Sequence, residues 1–357
     1  MNNQTSIRFS PDPATGFLSE DASRRYFSIV GYAAFALIAI HTTVQFALSY
    51  LISVAFPKEM LADPTVIAIL NNLLIFIPLY LVALPVFLFI LKRLPSIRPL
   101  KTPMGAGGFF GGLCCAFTVM MGGSYLSNFI IAVFESLMGR TLVNPVLALS
   151  QNSEMWIGLL FTGLLAPILE ELIFRKLLCR RLLPLGEGYA ILLSAAIFGL
   201  GHSNFFQFFY AFGIGCLFGL IYVKTGRIRY TVVYHIIINV LGGILAPWLL
   251  EHLDPETLLP LLEEIMAQGT LTEEQLSALS PYLLPSLLLL GYEAIVMGGA
   301  LIGSILLFIA ILRRRLKVDS GLLPPPKKGR IGNILLTPGV ALAIAAFTVS
   351  FILSLLP

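Results

Sequence analysis

Apolar runs long enough to cross a bilayer recur along this chain, and they decide what it can fold into. Residues 26–56 and 282–312 each exceed the ~18–20 residues that a membrane-crossing helix requires. Nine apolar segments follow one another, at roughly 26–56, 66–91, 105–134, 155–174, 189–202, 205–223, 230–250, 282–312 and 332–356. Backbone N–H and C=O groups in lipid must be satisfied within the protein, which leaves helices and closed barrels. The expectation is an all-α, polytopic transmembrane helix bundle with about eight or nine membrane segments. Composition agrees: 57% of the 357 residues are hydrophobic and 12% are charged, against ~45–50% and ~25% in soluble domains. Length alone would allow two soluble domains, but the apolar runs overrule it.

No signal peptide is read at the start. Residues 1–24 are polar, with Arg8, Asp12, Glu20 and Asp21 where an apolar core would stand, so the first apolar run is expected to be retained as an anchor. The four cysteines, Cys114, Cys115, Cys179 and Cys216, lie in or beside apolar runs. They show neither metal-finger nor secreted-scaffold spacing and read as packed thiols. The net charge of +4 does not point to nucleic acid, because the basic residues are distributed as membrane topology requires. With the N-terminus in the cytoplasm, Arg24, Arg25, Lys92, Arg93, Arg98, Lys101, Lys176, Arg180 and Arg181 fall inside. So do Lys224, Arg227, Arg229, Arg313, Arg314, Arg315, Lys317, Lys327, Lys328 and Arg330, whereas Lys58 and Arg140 fall outside. That is the positive-inside asymmetry, and it sets Trp156 and Trp248 at the outer interface. The expected localisation is an integral protein of a bacterial-type plasma membrane. The expected divisions are a cytoplasmic tail 1–25, transmembrane segments 26–154, a helical core 155–250, an extracytoplasmic acidic helical loop 251–281 and transmembrane segments 282–357.

Residues 189–223 form one apolar stretch broken at Gly201-His202-Ser203-Asn204. Two minimal spans fit it, and so does a helical hairpin whose tip stops inside the protein, where irregular backbone is tolerated if it lines a cavity. Glycines cluster at 105, 107, 108, 111 and 112 and recur as Gly215-x-x-x-Gly219 and Gly299-x-x-x-Gly303. That spacing suits close helix packing in lipid. In the outer loop Asp254 stands before Pro255 as a cap, Gly269 ends that helix, and Thr272 with Gln275 forms a capping box. Pro324-Pro325-Pro326-Lys327-Lys328 reads as a cytoplasmic linker. No internal repeat is visible.

Charged residues inside a bilayer are expensive, so each needs a reason. Three clusters stand out: Glu170-Glu171-Leu-Ile-Phe-Arg175, Phe198-Gly-Leu-Gly-His202 and His235-Ile-Ile-Ile-Asn239. Residues four apart share a helix face, and adjacent residues point about 100° apart. Glu171 and Arg175 form an i,i+4 pair with the acid first, which neutralises Glu171 within its own helix. Glu170 meets Phe174 at that spacing and must face elsewhere. A carboxylate without a counter-ion is suited to take a proton as a general base. His235 and Asn239 share a face and aim at one point. Phe198 reads as core packing, and His41 and Glu293 read as ordinary intramembrane polar contacts.

In order and spacing these clusters resemble the signatures of the type II CAAX prenyl endopeptidases, also called the CPBP or Abi family. Those signatures are E-E-x-x-x-R, F-x-x-x-H and H-x-x-x-N on successive membrane helices. Every motif position is filled, over residues 155–250. The resemblance implies a hydrolase, an intramembrane endopeptidase like CAAX prenyl protease 2. It would cut a membrane-associated or lipidated peptide or protein, with Glu170 and His202 polarising water and His235 and Asn239 donating to the oxyanion. Glu171, Arg175 and Phe198 then support the site. Expected partners are the lipid bilayer and the peptide substrate, with no nucleic acid.

No cofactor is expected. The metal alternative is a zinc-dependent protease holding the ion with His202, His235 and Glu171, but Arg175 already uses Glu171, Asn239 is a poor ligand, and no His-Glu-x-x-His is present. A proton-coupled transporter, which would add Glu293, and a non-proteolytic immunity protein or scaffold are the other readings.

The charge asymmetry sets a topology test. In intact cells, single cysteines at positions within 94–100 and 318–330 should be shielded from an impermeant thiol reagent, and those within 254–276 should be labelled. Labelling of 318–330 from outside would invert the orientation.

Overall fold

A computed structural model describes residues 9–145, 147, 154–326 and 330–356. Arg8, Lys327 and Lys328, and with them the start of the 1–25 tail, lie outside the described residues. The main helices are α1 Glu20–Ala55, α2 Pro64–Leu91, α3 Ala106–Met138, α4 Met155–Leu185, α5 Glu187–Gly201, α6 Phe205–Thr225, α7 Ile228–Leu253, α8 Pro255–Gln268, α9 Glu273–Leu312 and α10 Pro338–Ser354. Short helical turns stand at Lys58–Leu61 and Arg330–Leu335. Among the described residues there is no strand, only an isolated bridge between Gly186 and Ser320. Seven helices (α1 to α4, α6, α7 and α9) are long and apolar enough to cross a membrane, and α5 and α10 are shorter apolar helices. The chain is an all-α polytopic bundle of an integral membrane protein.

Local sequence sets many of the helix ends. Ser19 caps α1 by accepting from the Ala22 N–H, and Asp63 caps α2 ahead of Pro64. Asn204 caps α6 from the Gln207 N–H. Gly139, Gly226 and Gly269 end their helices in the left-handed conformation, where the lack of a Cβ removes the steric cost. The Thr272–Gln275 capping box is present, but it opens α9 itself, which runs unbroken through Pro281 and Pro285 to Leu312. The expected boundary at 281/282 therefore falls inside a helix. Asp254 precedes Pro255 as expected but makes no side-chain cap; its carboxylate accepts from the Thr257 hydroxyl at 2.6 Å.

One end of the bundle gathers the loops that carry the basic residues. The Leu18 N–H donates to the Pro324 carbonyl, Ile97 to Arg180, Thr102 to Thr225, and Leu323 to Pro184, at 2.7–2.9 Å. Arg181 Nε donates to the Leu91 carbonyl at 3.0 Å, and the Tyr26 hydroxyl donates to the Arg181 carbonyl. Lys224 pairs with Glu187 at 2.5 Å. The segments before α1 and after α2, α4, α6 and α9 thus meet on one side. At the other end the Thr65 hydroxyl meets Glu154 at 2.7 Å and Arg140 donates to the Leu355 carbonyl.

The α5–α6 hairpin enters from the basic end and turns at residues 202–204. At ~1.5 Å per residue, the 15 residues of α5 rise about 22 Å, less than the ~30 Å hydrocarbon core, whereas the 21 residues of α6 rise about 32 Å and match it. The turn residues Gly201, His202, Ser203 and Asn204 line an internal cavity. A second departure concerns α4, which runs on to Leu185 instead of ending at 174. Arg175 is fully buried beside Glu171.

Helices do not gain by hiding from lipid tails, so small residues set the closest crossings. α1 crosses α10 where Gly31 meets Gly339; a Cβ on Gly31 would sit 2.2 Å from the Val340 nitrogen. α3 crosses α9 at Gly303, where a Cβ would sit 2.1 Å from the Cys114 carbonyl oxygen. The Thr118 hydroxyl donates across this crossing to the Ala300 carbonyl at 2.6 Å. Gly215 and Gly219 of α6 lie against Ala195 and Ile191 of α5. In the 105–112 cluster the packing reading holds for Gly111 and Gly112, which face Leu306 and Tyr234, whereas Gly105 and Gly107 face open space.

Gly303→Val should therefore force α3 and α9 apart and lower the melting temperature of the purified protein, by the ~1–3 kcal/mol or more typical of overpacking. Gly298→Val, where a Cβ meets nothing within 4 Å, should leave it nearly unchanged. Equal effects would remove the close crossing as the cause.

Candidate active site

The paired glutamates sit on the straight α-helical part of α4, Ala166–Glu171, between two π-helical stretches, Leu159–Leu165 and Leu172–Cys179. Such stretches re-aim side chains and recur at functional sites. Glu171 and Arg175 point into the bundle and are both wholly buried. Arg175 Nε donates to Glu171 Oε2 at 3.0 Å and Nη2 to Oε1 at 3.5 Å; Nη1 reaches the Ser194 hydroxyl of α5 at 3.5 Å. The Arg175 guanidinium also lies 5.5 Å from the Phe198 ring, a cation–π geometry.

Glu170 faces another way, into a cavity of about 590 Å³. His235 of α7 stands between the two acids. Its Nε2 is 3.6 Å from Glu170 Oε2 and its Nδ1 is 3.3 Å from Glu171 Oε1. The second contact is poorly aligned, so Nδ1 is buried without a well-directed hydrogen bond.

His202 stands at the hairpin tip, with Nδ1 3.0 Å from the Phe198 carbonyl. A carbonyl only accepts, so this bond puts the proton on Nδ1 and leaves Nε2 as an acceptor. Phe198 organises both histidines: its ring meets His202 at 5.0 Å and His235 at 5.7 Å, edge to face, and packs on Phe174 at 5.1 Å.

Asn239, one turn beyond His235, has one amide hydrogen engaged: Nδ2 donates to the Thr162 carbonyl of α4 at 2.9 Å. The reason lies in Pro167. In the π register of this stretch the Ala166 N–H donates to the Phe161 carbonyl; the next donor would be residue 167, and proline has none. Thr162 is thereby left an open acceptor, which Asn239 takes, and the second amide hydrogen stays available.

Glu170, His202, His235 and Asn239 all line the same cavity. Its wall is not confined to residues 155–250. α1 supplies Leu37, Ile38, His41 and Gln45, α2 supplies Asn72, Ile75 and Phe76, and α10 supplies Phe347 and Ser350. The cavity continues to Glu154, Met155, Trp248 and Glu251 at the end opposite the basic loops. His41, Asn72 and Ser203 are cavity residues that the motif reading passed over. Asn72 had a legible signal, an amide inside an apolar run; His41 had been read as a helix contact. Glu293 is exposed on α9 and does not line the cavity. Among the described residues no three His, Cys, Asp or Glu side chains form a group that could hold a metal ion, and His202, His235 and Glu171 are not gathered as one.

Residues 152–241 match the family model described as Rce1-like, type II CAAX prenyl endopeptidase. Over 90 residues the chain is 32% identical to the membrane-embedded CAAX protease MroQ of Staphylococcus aureus (strain USA300), an overlap of 23% of this chain and 36% of that protein. The chain thus spans about a third of the length of the curated relative it matches. No solved structure matches the chain. The matched region is the stretch of α4 to α7 that surrounds the glutamate pair, and over that stretch the chain is similar to the Rce1-like type II CAAX prenyl endopeptidases.

Proposed function

We propose that this chain is an intramembrane endopeptidase that hydrolyses a peptide bond of a membrane-associated or lipidated substrate with glutamate-activated water. One observation carries the reading. Of two adjacent glutamates, Glu171 is locked in a buried pair with Arg175, while Glu170 faces a cavity shared with His202, His235 and Asn239.

In this mechanism Glu170 and the Nε2 acceptor of His202 hold one water. Glu170 takes a proton as the oxygen attacks the scissile carbonyl. The oxyanion receives hydrogen bonds from His235 and from the second amide hydrogen of Asn239. Glu170 then passes its proton to the leaving amine, which closes the proton balance. No step draws on a metal. In the proposed setting the N-terminus and the basic loops are cytoplasmic in a bacterial-type plasma membrane, and residues 155–250 are the catalytic core to which α1, α2 and α10 add cavity walls.

The glutamates should separate by experiment. Glu170→Gln should abolish cleavage, read as loss of a truncated product in membrane proteomics, with little change in melting temperature. Glu171→Gln should lower stability by about 3–5 kcal/mol, because it strands the buried Arg175. A thermostable Glu171→Gln beside an unfolded Glu170→Gln would reverse the assignment.

Asn239→Ala should slow turnover by about 10²–10³, the usual cost of one oxyanion donor. Elemental analysis of active protein, with activity measured after exhaustive chelation, tests the metal-free chemistry. Stoichiometric zinc, with activity lost on chelation and restored on re-addition, would replace this mechanism with a metal one.

A further inference from the structure

The cavity has more polar wall than the four proposed reacting side chains require. On α1, His41 lines it together with Thr42 and Gln45. The His41 Nε2 is buried and has no hydrogen-bond partner among the described residues. At the hairpin tip, Ser203 lines the same cavity, and its hydroxyl oxygen is likewise buried without a partner. Ser203 is also held at φ 57, a left-handed conformation unusual for serine. Asn72 of α2 is 2% exposed, and its amide donates to the Ala68 carbonyl at 2.9 Å. Its side-chain oxygen accepts no hydrogen bond from the described residues, and it too belongs to this wall.

Buried polar atoms are almost always paired, and an unpaired one costs stability. Six side-chain atoms among the described residues are buried without a partner. Those of His41 and Ser203 belong to cavity-lining residues away from the glutamate pair. Groups left unpaired along one apolar channel are groups that a ligand can complete. A peptide to be cut inside a bilayer presents that ligand. To expose a scissile carbonyl, the substrate must give up helical hydrogen bonds, and each freed backbone N–H or C=O is costly in an apolar surround unless the enzyme supplies a partner.

We propose that His41 and Ser203, with the Asn72 side-chain oxygen, form a backbone-binding subsite that holds the unwound segment of a peptide substrate beside the scissile bond. The proposal rests on the endopeptidase reading. The subsite lies on α1, α2 and the hairpin tip, of which α1 and α2 are outside the family match at 152–241. The cavity continues from the glutamates to Glu154, Trp248 and Glu251, so the bound segment extends toward the end of the bundle opposite the basic loops. These side chains bind the chain that is cut and are positioning residues, not reacting ones.

The test uses the full-length protein in detergent and a fluorescent single-span peptide of about 20 residues, mostly leucine with a central Gly-Pro step. Binding is measured in the Glu170→Gln background, which separates affinity from turnover. His41→Phe and Ser203→Ala should each weaken binding about five- to tenfold, the loss of one hydrogen bond, and His41→Gln should recover most of it. In otherwise wild-type protein the same changes should raise KM by a similar factor. Melting temperatures should not fall, because these groups have no partner to lose within the protein; a purely structural role predicts the opposite.

No binding of the peptide, or unchanged binding in both variants, overturns the subsite. The protease reading fails in a different way. If the peptide binds and depends on His41 and Ser203, yet wild-type protein never cleaves it, the subsite stands and the hydrolytic role of Glu170 falls.

Discussion

The structure is arranged around one buried ion pair. Glu171 and Arg175 are wholly buried in the middle of α4, with two donor–acceptor contacts between them. A lone charge at this depth would be prohibitive, whereas a paired and hydrogen-bonded one is tolerated. The pair reaches outward through Arg175 to Ser194 and to the Phe198 ring of α5, and Phe198 in turn holds the rings of His202 and His235. Occupying Glu171 in this way also leaves its neighbour free. A helix turns about 100° per residue, so one acid is bound to the scaffold and the next is presented to the cavity.

The turn of one hairpin forms part of the cavity wall. α5 and α6 reverse direction at residues 202–204, and Gly201, His202, Ser203 and Asn204 line the internal space. Backbone at such a turn could not face lipid, but it is tolerated where it lines an internal space. Asn204 settles the turn locally by capping α6 and donating to the His202 carbonyl at 2.7 Å. The same economy governs α4 and α7, where the missing N–H of Pro167 opens the Thr162 carbonyl and Asn239 fills it. A helix-breaking residue is thereby converted into an interhelical bond beside the proposed site.

Much of this was legible in the chain. The all-α bundle followed from the apolar runs, and the Glu171–Arg175 pair from i,i+4 spacing, because both are local rules that short-range geometry enforces. The Thr272–Gln275 box was legible for the same reason. Other features depend on distant contacts. The apolar run 155–174 is continued by a helix that reaches Leu185, with Arg175 kept buried by Glu171 and Ser194. The helix opened by the Thr272 box passes residue 281 without a break. His41 looked like an ordinary helix contact until α1 was seen to form a cavity wall.

The sequence by itself determined which segments are helical, which acid is neutralised within its own helix, and which end of the bundle gathers the basic loops. Hydropathy, helical period and charge count act over one or a few turns, and any fold of this chain must respect them. Only the tertiary structure decided that the turn of the α5–α6 hairpin lines an internal cavity, and that His202 reaches the cavity of Glu170 and His235. It alone decided that α1, α2 and α10 complete the wall. Those outcomes depend on where helices distant in the chain cross. In lipid, crossings are set by close steric fit, such as Gly31 on Gly339 and Gly303 on Cys114, and such fit between remote surfaces leaves no periodic mark in the sequence.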